Sequence, residues 1–148
     1  MSLSTKIMDS MKDAMRAKDT VALEALRAVK SEILLAQTSG SAEGLSEEDE
    51  IKILQKLVKQ RKDSAAIFAE QNRNDLAEPE LAQIAVIEKF LPAQMSEAEV
   101  EAAVAKIIAD GNFSGMASMG QVMGMASKQL GGNSDGKTIS TIVKKLLV

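Results

Sequence analysis

Gly131-Gly132-Asn133-Ser134-Asp135-Gly136-Lys137-Thr138 matches the nucleotide-binding pattern G-x-x-x-x-G-K-[ST]. What precedes it tells whether the match carries chemistry. A phosphate-binding loop follows a strand, so that its backbone N–H groups converge on phosphates at the start of a helix. Here the preceding stretch is Met119-Gly120-Gln121-Val122-Met123-Gly124-Met125-Ala126-Ser127-Lys128-Gln129-Leu130. Its apolar positions 119, 122, 123, 126 and 130 recur at steps of three and four, which is helical spacing. The segment therefore predicts a loop between two short helices, and the nucleotide reading lacks the strand it requires.

The same periodicity continues toward the N-terminus. A first helix is expected over 4–18 with Ile7, Met8, Met11 and Met15 as its apolar stripe. Asp19 or Thr20 caps a second, where Ala22, Leu26, Val29, Ile33 and Ala36 share one face. The small polar stretch 39–44 reads as a loop. Ser46 followed by three acids starts a third helix reaching residue 71, with Leu54, Val58, Ala65 and Phe68 inward. A fourth begins at Leu76 or Pro79 and ends before Pro92, because proline is tolerated only in a first turn. Ser96-Glu97-Ala98-Glu99 is a capping box that opens a fifth helix, running to Asp110. A sixth lies within 114–130, and a seventh begins near Asp135 and buries Ile139, Ile142, Val143 and Leu146.

Composition agrees with helix. Only Phe68, Phe90 and Phe113 are aromatic, while Ala, Leu, Glu, Lys, Gln and Met dominate. Cys and His are both absent, which excludes disulfides, the usual zinc sites and imidazole-based triads. No apolar run approaches the roughly 20 residues that a membrane span needs. No apolar signal core is visible, and Asp9, Asp13 and Asp19 argue against an organellar leader, so a cytoplasmic location is expected.

The net charge of −3 conceals an asymmetry: residues 1–110 carry −6, whereas 111–148 carry +3 from Lys128, Lys137, Lys144 and Lys145 against Asp135. That C-terminal stretch is either ordinary solvated surface or a face suited to a polyanion. It also holds seven of the nine glycines. Gly120 and Gly124 share a helix face and permit close approach, either by another helix or by a partner. Met116, Met119, Met123 and Met125 serve as adaptable core filler or as a protein-binding groove. Arg61 stands where the stripe of the third helix expects an apolar residue, which predicts a structural ion pair or an anion contact. The acids 47–50 point to different sides of a helix and make no metal site.

Taken together, these residues resemble the YqeY-like family, also called the GatB/YqeY domain family, over essentially the whole chain. The resemblance is carried by Leu26-Arg27-Ala28-Val29-Lys30-Ser31, Lys59-Gln60-Arg61-Lys62-Asp63-Ser64, Asn74-Asp75-Leu76-Ala77 and Glu88-Lys89-Phe90-Leu91-Pro92. Met119-Gly120-Gln121-Val122-Met123-Gly124 and Asp135-Gly136-Lys137 before Ile142-Val143 complete it. It implies an N-terminal helical bundle and a smaller C-terminal domain similar to the tail of the aminoacyl-tRNA amidotransferase B subunit, which helps to hold tRNA. Amidation and acid activation belong to other parts of that enzyme, and nothing here resembles them.

The expectation is thus an all-α protein: a helical bundle over 1–91, a linker over 92–96 and a three-helix domain over 97–148. It has no catalytic residues, cofactor, metal or small-molecule substrate. Any glutamine-dependent carbon–nitrogen ligase activity resides in a larger complex. The partner is structured tRNA, held by Lys128, Lys137, Lys144 and Lys145 through phosphates, because the scarcity of aromatics leaves little for base stacking. The alternative is a helical protein-interaction adaptor with no RNA role. A nucleotide-hydrolysing enzyme ranks third.

Overall fold

The computed structural model describes residues 2–40 and 44–148, so the centre of the 39–44 stretch expected as a loop lies outside the described residues. All regular structure among them is helical: α1 (Leu3–Ala17), α2 (Thr20–Ser39), α3 (Glu47–Glu70), α4 (Asn74–Glu88), α5 (Glu97–Asp110), a 3-10 turn (Met116–Ser118), α6 (Met119–Leu130) and α7 (Gly136–Leu147). The chain divides into two compact units, Met1–Leu91 and Pro92–Val148.

Side chains start the helices where the sequence offers caps. The Asp19 carboxylate accepts from the Ala22 N–H at 3.0 Å. Ser46 and Asp49 form a reciprocal capping box on α3, and the Ser46 hydroxyl holds the Asp49 carboxyl below its ordinary range. Ser96 and Glu99 form the corresponding reciprocal capping box on α5. Each cap satisfies backbone donors that would otherwise lack a partner, worth about 1 kcal/mol.

In the first unit, α4 packs on α2 and α3, and α1 packs on α2. The core is built from Ile7, Leu26, Val29, Leu54 and Ile87, with Leu57, Val58 and Ile84 around them. The α1 stripe differs from expectation. Leu3, Ile7 and Ala14 are buried, whereas Met8 and Met15 are about half exposed. A small alanine lets a neighbouring helix approach, so side-chain size misled about which face turns inward. α4 also begins earlier than expected, at Asn74, which puts Pro79 inside the helix, beyond its first turn. Proline has no N–H to offer the carbonyl four residues back, so one bond of the ladder is missing there. The turn before α4 is fixed instead by Arg73, which donates to both carboxylate oxygens of Asp75 at 3.1 and 3.0 Å and holds that carboxyl below its ordinary range.

Arg61 makes no ion pair among the described residues. Its Nε donates to Gln83 Oε1 at 2.8 Å, and its Nη1 donates to the Leu57 carbonyl at 3.1 Å. Gln83 in turn donates to Glu24 at 3.2 Å. A neutral amide thus relays between the cation and the carboxylate, which explains how a half-buried guanidinium is tolerated within the first unit. Arg61→Ala should lower stability by about 1–2 kcal/mol, because it strips a charged hydrogen bond and leaves Gln83 half-paired. Chemical denaturation of the variant checks this, and an unchanged midpoint would contradict it.

In the second unit, α5, α6 and α7 pack against one another around Val100, Val104, Val122, Ala126, Ile139 and Val143. The stretch 92–96, expected as a linker, is bonded into this unit. The Met95 N–H donates to the Asn133 carbonyl at 2.8 Å, the Asn133 side chain donates to the Ala93 carbonyl at 2.8 Å, and Gln94 donates to the Gly132 carbonyl at 3.2 Å.

Candidate nucleic-acid interface

The loop between α6 and α7 is not a phosphate cradle. Three of its backbone donors are consumed locally: the Gly131 N–H bonds the Ser127 carbonyl, and the Asn133 and Ser134 N–H groups both bond the Leu130 carbonyl. These bonds terminate α6. The element before the loop is a helix, and Ser134 is buried. At the start of α7, the Asp135 carboxylate accepts from the Thr138 N–H at 2.7 Å. An anionic side chain already occupies the position where a phosphate would sit, and it would repel one. Lys137→Ala should therefore leave calorimetric titrations with magnesium–ATP and magnesium–GTP flat, as in the unchanged protein. Saturable micromolar heat that Lys137→Ala abolishes would contradict the helical reading of this loop.

The four predicted cations have distinct placements. Burying Ile139, Ile142, Val143 and Leu147 turns Lys137, Thr141, Lys144 and Lys145 to solvent along α7. Lys137 and Lys144 lie seven residues apart, about 10 Å along the axis. Lys128 is exposed in the last turn of α6, where a cation also complements the helix dipole. Lys145 differs from the others, because its Nζ lies 3.4 Å from Glu101 Oε2 on α5. Lys128, Lys137 and Lys144 form no ion pair among the described residues. By contrast, Lys52 and Lys56 of α3 pair with Glu48 and Glu32, which marks theirs as an internally balanced face.

Gly120 and Gly124 lie on the side of α6 opposite Val122, Ala126 and Leu130, and a Cβ built on either meets nothing within 4 Å. Met119 and Met123 pack against the second core, whereas Met116 and Met125 are exposed. Among the described residues no group of three or more His, Cys, Asp or Glu side chains converges on a metal position. Of the acids 47–50, Asp49 is engaged in its cap and Glu48 with Lys52. No helix of the described residues is long and apolar enough to cross a membrane.

Sequence reasoning missed Glu101 and Asn133. Each acts across about 40 residues of chain, and helical periodicity carries no signal about such partners.

A family profile described as "Yqey-like protein" matches residues 4–147. Among curated proteins, "Altered inheritance of mitochondria protein 41, mitochondrial" of Kluyveromyces lactis is 35% identical over 70% of this chain and 57% of its own length. The protein of the same name from Pyrenophora tritici-repentis is 29% identical over 96% of this chain and 79% of its own. That from Clavispora lusitaniae is 36% identical over 60% of this chain and 51% of its own. The chain thus spans little more than half the length of two of these three relatives. Their names overturn the expectation of a cytoplasmic location. The acids behind that expectation do not discriminate. Asp9 and Asp13 belong to a helix folded into the first unit, so their acidity says nothing about import.

Proposed function

The chain belongs to the Yqey-like protein family, and on that premise we propose that it is a tRNA-binding accessory protein without catalytic chemistry of its own. The observation that carries this reading is the solvent-facing cation set Lys128, Lys137 and Lys144 on α6 and α7, which makes no ion pair among the described residues. In 111–148 the sole acid is Asp135, and its carboxylate is engaged in capping α7. Such a surface attracts a polyanion and releases counterions from it, which gives affinity without sequence reading. The likeness to the tail of the aminoacyl-tRNA amidotransferase B subunit makes folded tRNA the polyanion of choice. The ammonium charges would then recognise the shape of the phosphate backbone, since Phe113, the one aromatic ring of the second unit, is half-buried against its core.

A second reading is a protein-interaction adaptor. It is favoured by an open groove of about 520 Å³ in the first unit, floored by Ala65, Ala66, Ala69 and Ala77 with Leu81 at its rim. Pull-down from lysate, with and without nuclease, separates the two. The RNA reading expects tRNA in the eluate and its loss on nuclease treatment. A protein retained after nuclease, with no RNA before it, would favour the adaptor.

A further inference from the structure

One acidic side chain interrupts the cation strip of α7. Glu101 reaches from α5 to Lys145, with its Oε2 3.4 Å from Nζ, and both side chains remain solvent-accessible at 42% and 66%. The other cations of the strip, Lys137 and Lys144, have no such partner among the described residues. Glu101 follows Val100 and precedes Val104, which are both fully buried, so its position beside α7 is fixed by the core rather than by the ion pair.

We infer that Glu101 attenuates RNA binding: it holds Lys145 out of phosphate contact and marks the α5 edge of the interface. This rests on the RNA reading given above. A surface ion pair of this kind is weak, worth less than about 1 kcal/mol, so it does not serve mainly to stabilise the fold. It does bear on how a polyanion is bound. A phosphate that engages Lys145 must compete with the carboxylate for the ammonium, and it is then left a few ångströms from a like charge. Lys128, Lys137 and Lys144 carry neither penalty. The interface therefore uses three cations when four are present, and the fourth is released by neutralising a single carboxylate.

The test is a salt series of binding to a folded tRNA transcript, read by fluorescence anisotropy, for the unchanged protein, Glu101→Gln, Lys145→Ala and the double variant. Glu101→Gln should bind roughly two- to fivefold tighter, the range that release of a surface pair corresponds to. Its log–log salt slope should steepen by about 0.7–0.9, the value of one added phosphate contact. Lys145→Ala alone should leave the slope near that of the unchanged protein, and the double variant should lose the gain. An unmoved slope in Glu101→Gln overturns the inference. So does a steepening that persists in the double variant, since it would then come from net charge rather than from Lys145. Absence of binding by the unchanged protein is a different result and overturns the RNA reading itself. Helical circular dichroism at each salt confirms that all four proteins are folded.

Discussion

Replacing Lys128, Lys137 and Lys144 together with Ala should cut the salt dependence of tRNA binding by about 2–3 units of log–log slope, from three lost contacts at 0.7–0.9 each. Near 0.1 M salt this corresponds to roughly a hundredfold loss of affinity. The loss should be alike for every tRNA tested, because phosphate contacts position a nucleic acid without reading its bases. The three side chains project from α6 and α7 into solvent and carry no part of the core, so the fold should survive. Lys106 supplies the control. It is exposed in the same unit but stands on α5 and outside the proposed contact set, and Lys106→Ala should barely move the slope. Equal effects of Lys106→Ala and Lys144→Ala would mean that net charge alone draws the RNA, without a defined face.

The glycines of the second unit should divide into two classes with opposite signs. Gly124→Ala should stabilise the protein by about 1 kcal/mol, the propensity difference between glycine and alanine in a helix interior, and Gly120→Ala, in the first turn of α6, by a smaller amount. The added methyl has open space at both positions, and neither glycine has a positive φ. Gly111→Ala and Gly131→Ala should destabilise by about 1–3 kcal/mol, as overpacking does. A Cβ at 111 would run into the ring of Phe113, which is packed on the second core. At 131 it would meet the Ser127 carbonyl, a backbone atom that closes α6 and cannot turn aside. Thermal unfolding of the four single variants reads the signs directly. Destabilisation by Gly120→Ala or Gly124→Ala would mean that the outer side of α6 is covered in solution, contrary to the open face described.

Much of the helix plan was legible because helix starts are written locally. Asp19, Ser46, Ser96 and Asp135 cap where their sequence context predicts, since a cap needs only a short polar side chain and the N–H three residues on. Helix faces were legible where the stripe is aliphatic, as in α2 and, with Leu147 buried in place of the expected Leu146, in α7, and not where methionine and alanine compete, as in α1. The start of α4 was misplaced because Pro79 looked like a first-turn residue, whereas the Arg73–Asp75 pair begins the helix earlier. In the candidate interface, the exposure of Lys137, Lys144 and Lys145 followed from the α7 stripe, and that of Lys128 from the α6 stripe. The pairing of Lys145 with Glu101 did not, because it depends on how α5 and α7 pack. Arg61 was recognised as needing a partner, but an uncharged glutamine 22 residues away could not be told from an acid by spacing alone.

The most direct measurement of the central claim is fluorescence anisotropy of a labelled, folded tRNA transcript titrated with the intact protein at low salt and again at increasing salt. The account predicts saturable binding at low salt that weakens steeply and linearly on a log–log plot, with a slope of about −2 to −3 for three phosphate contacts. No change in anisotropy at low salt, or binding indifferent to salt, would contradict it.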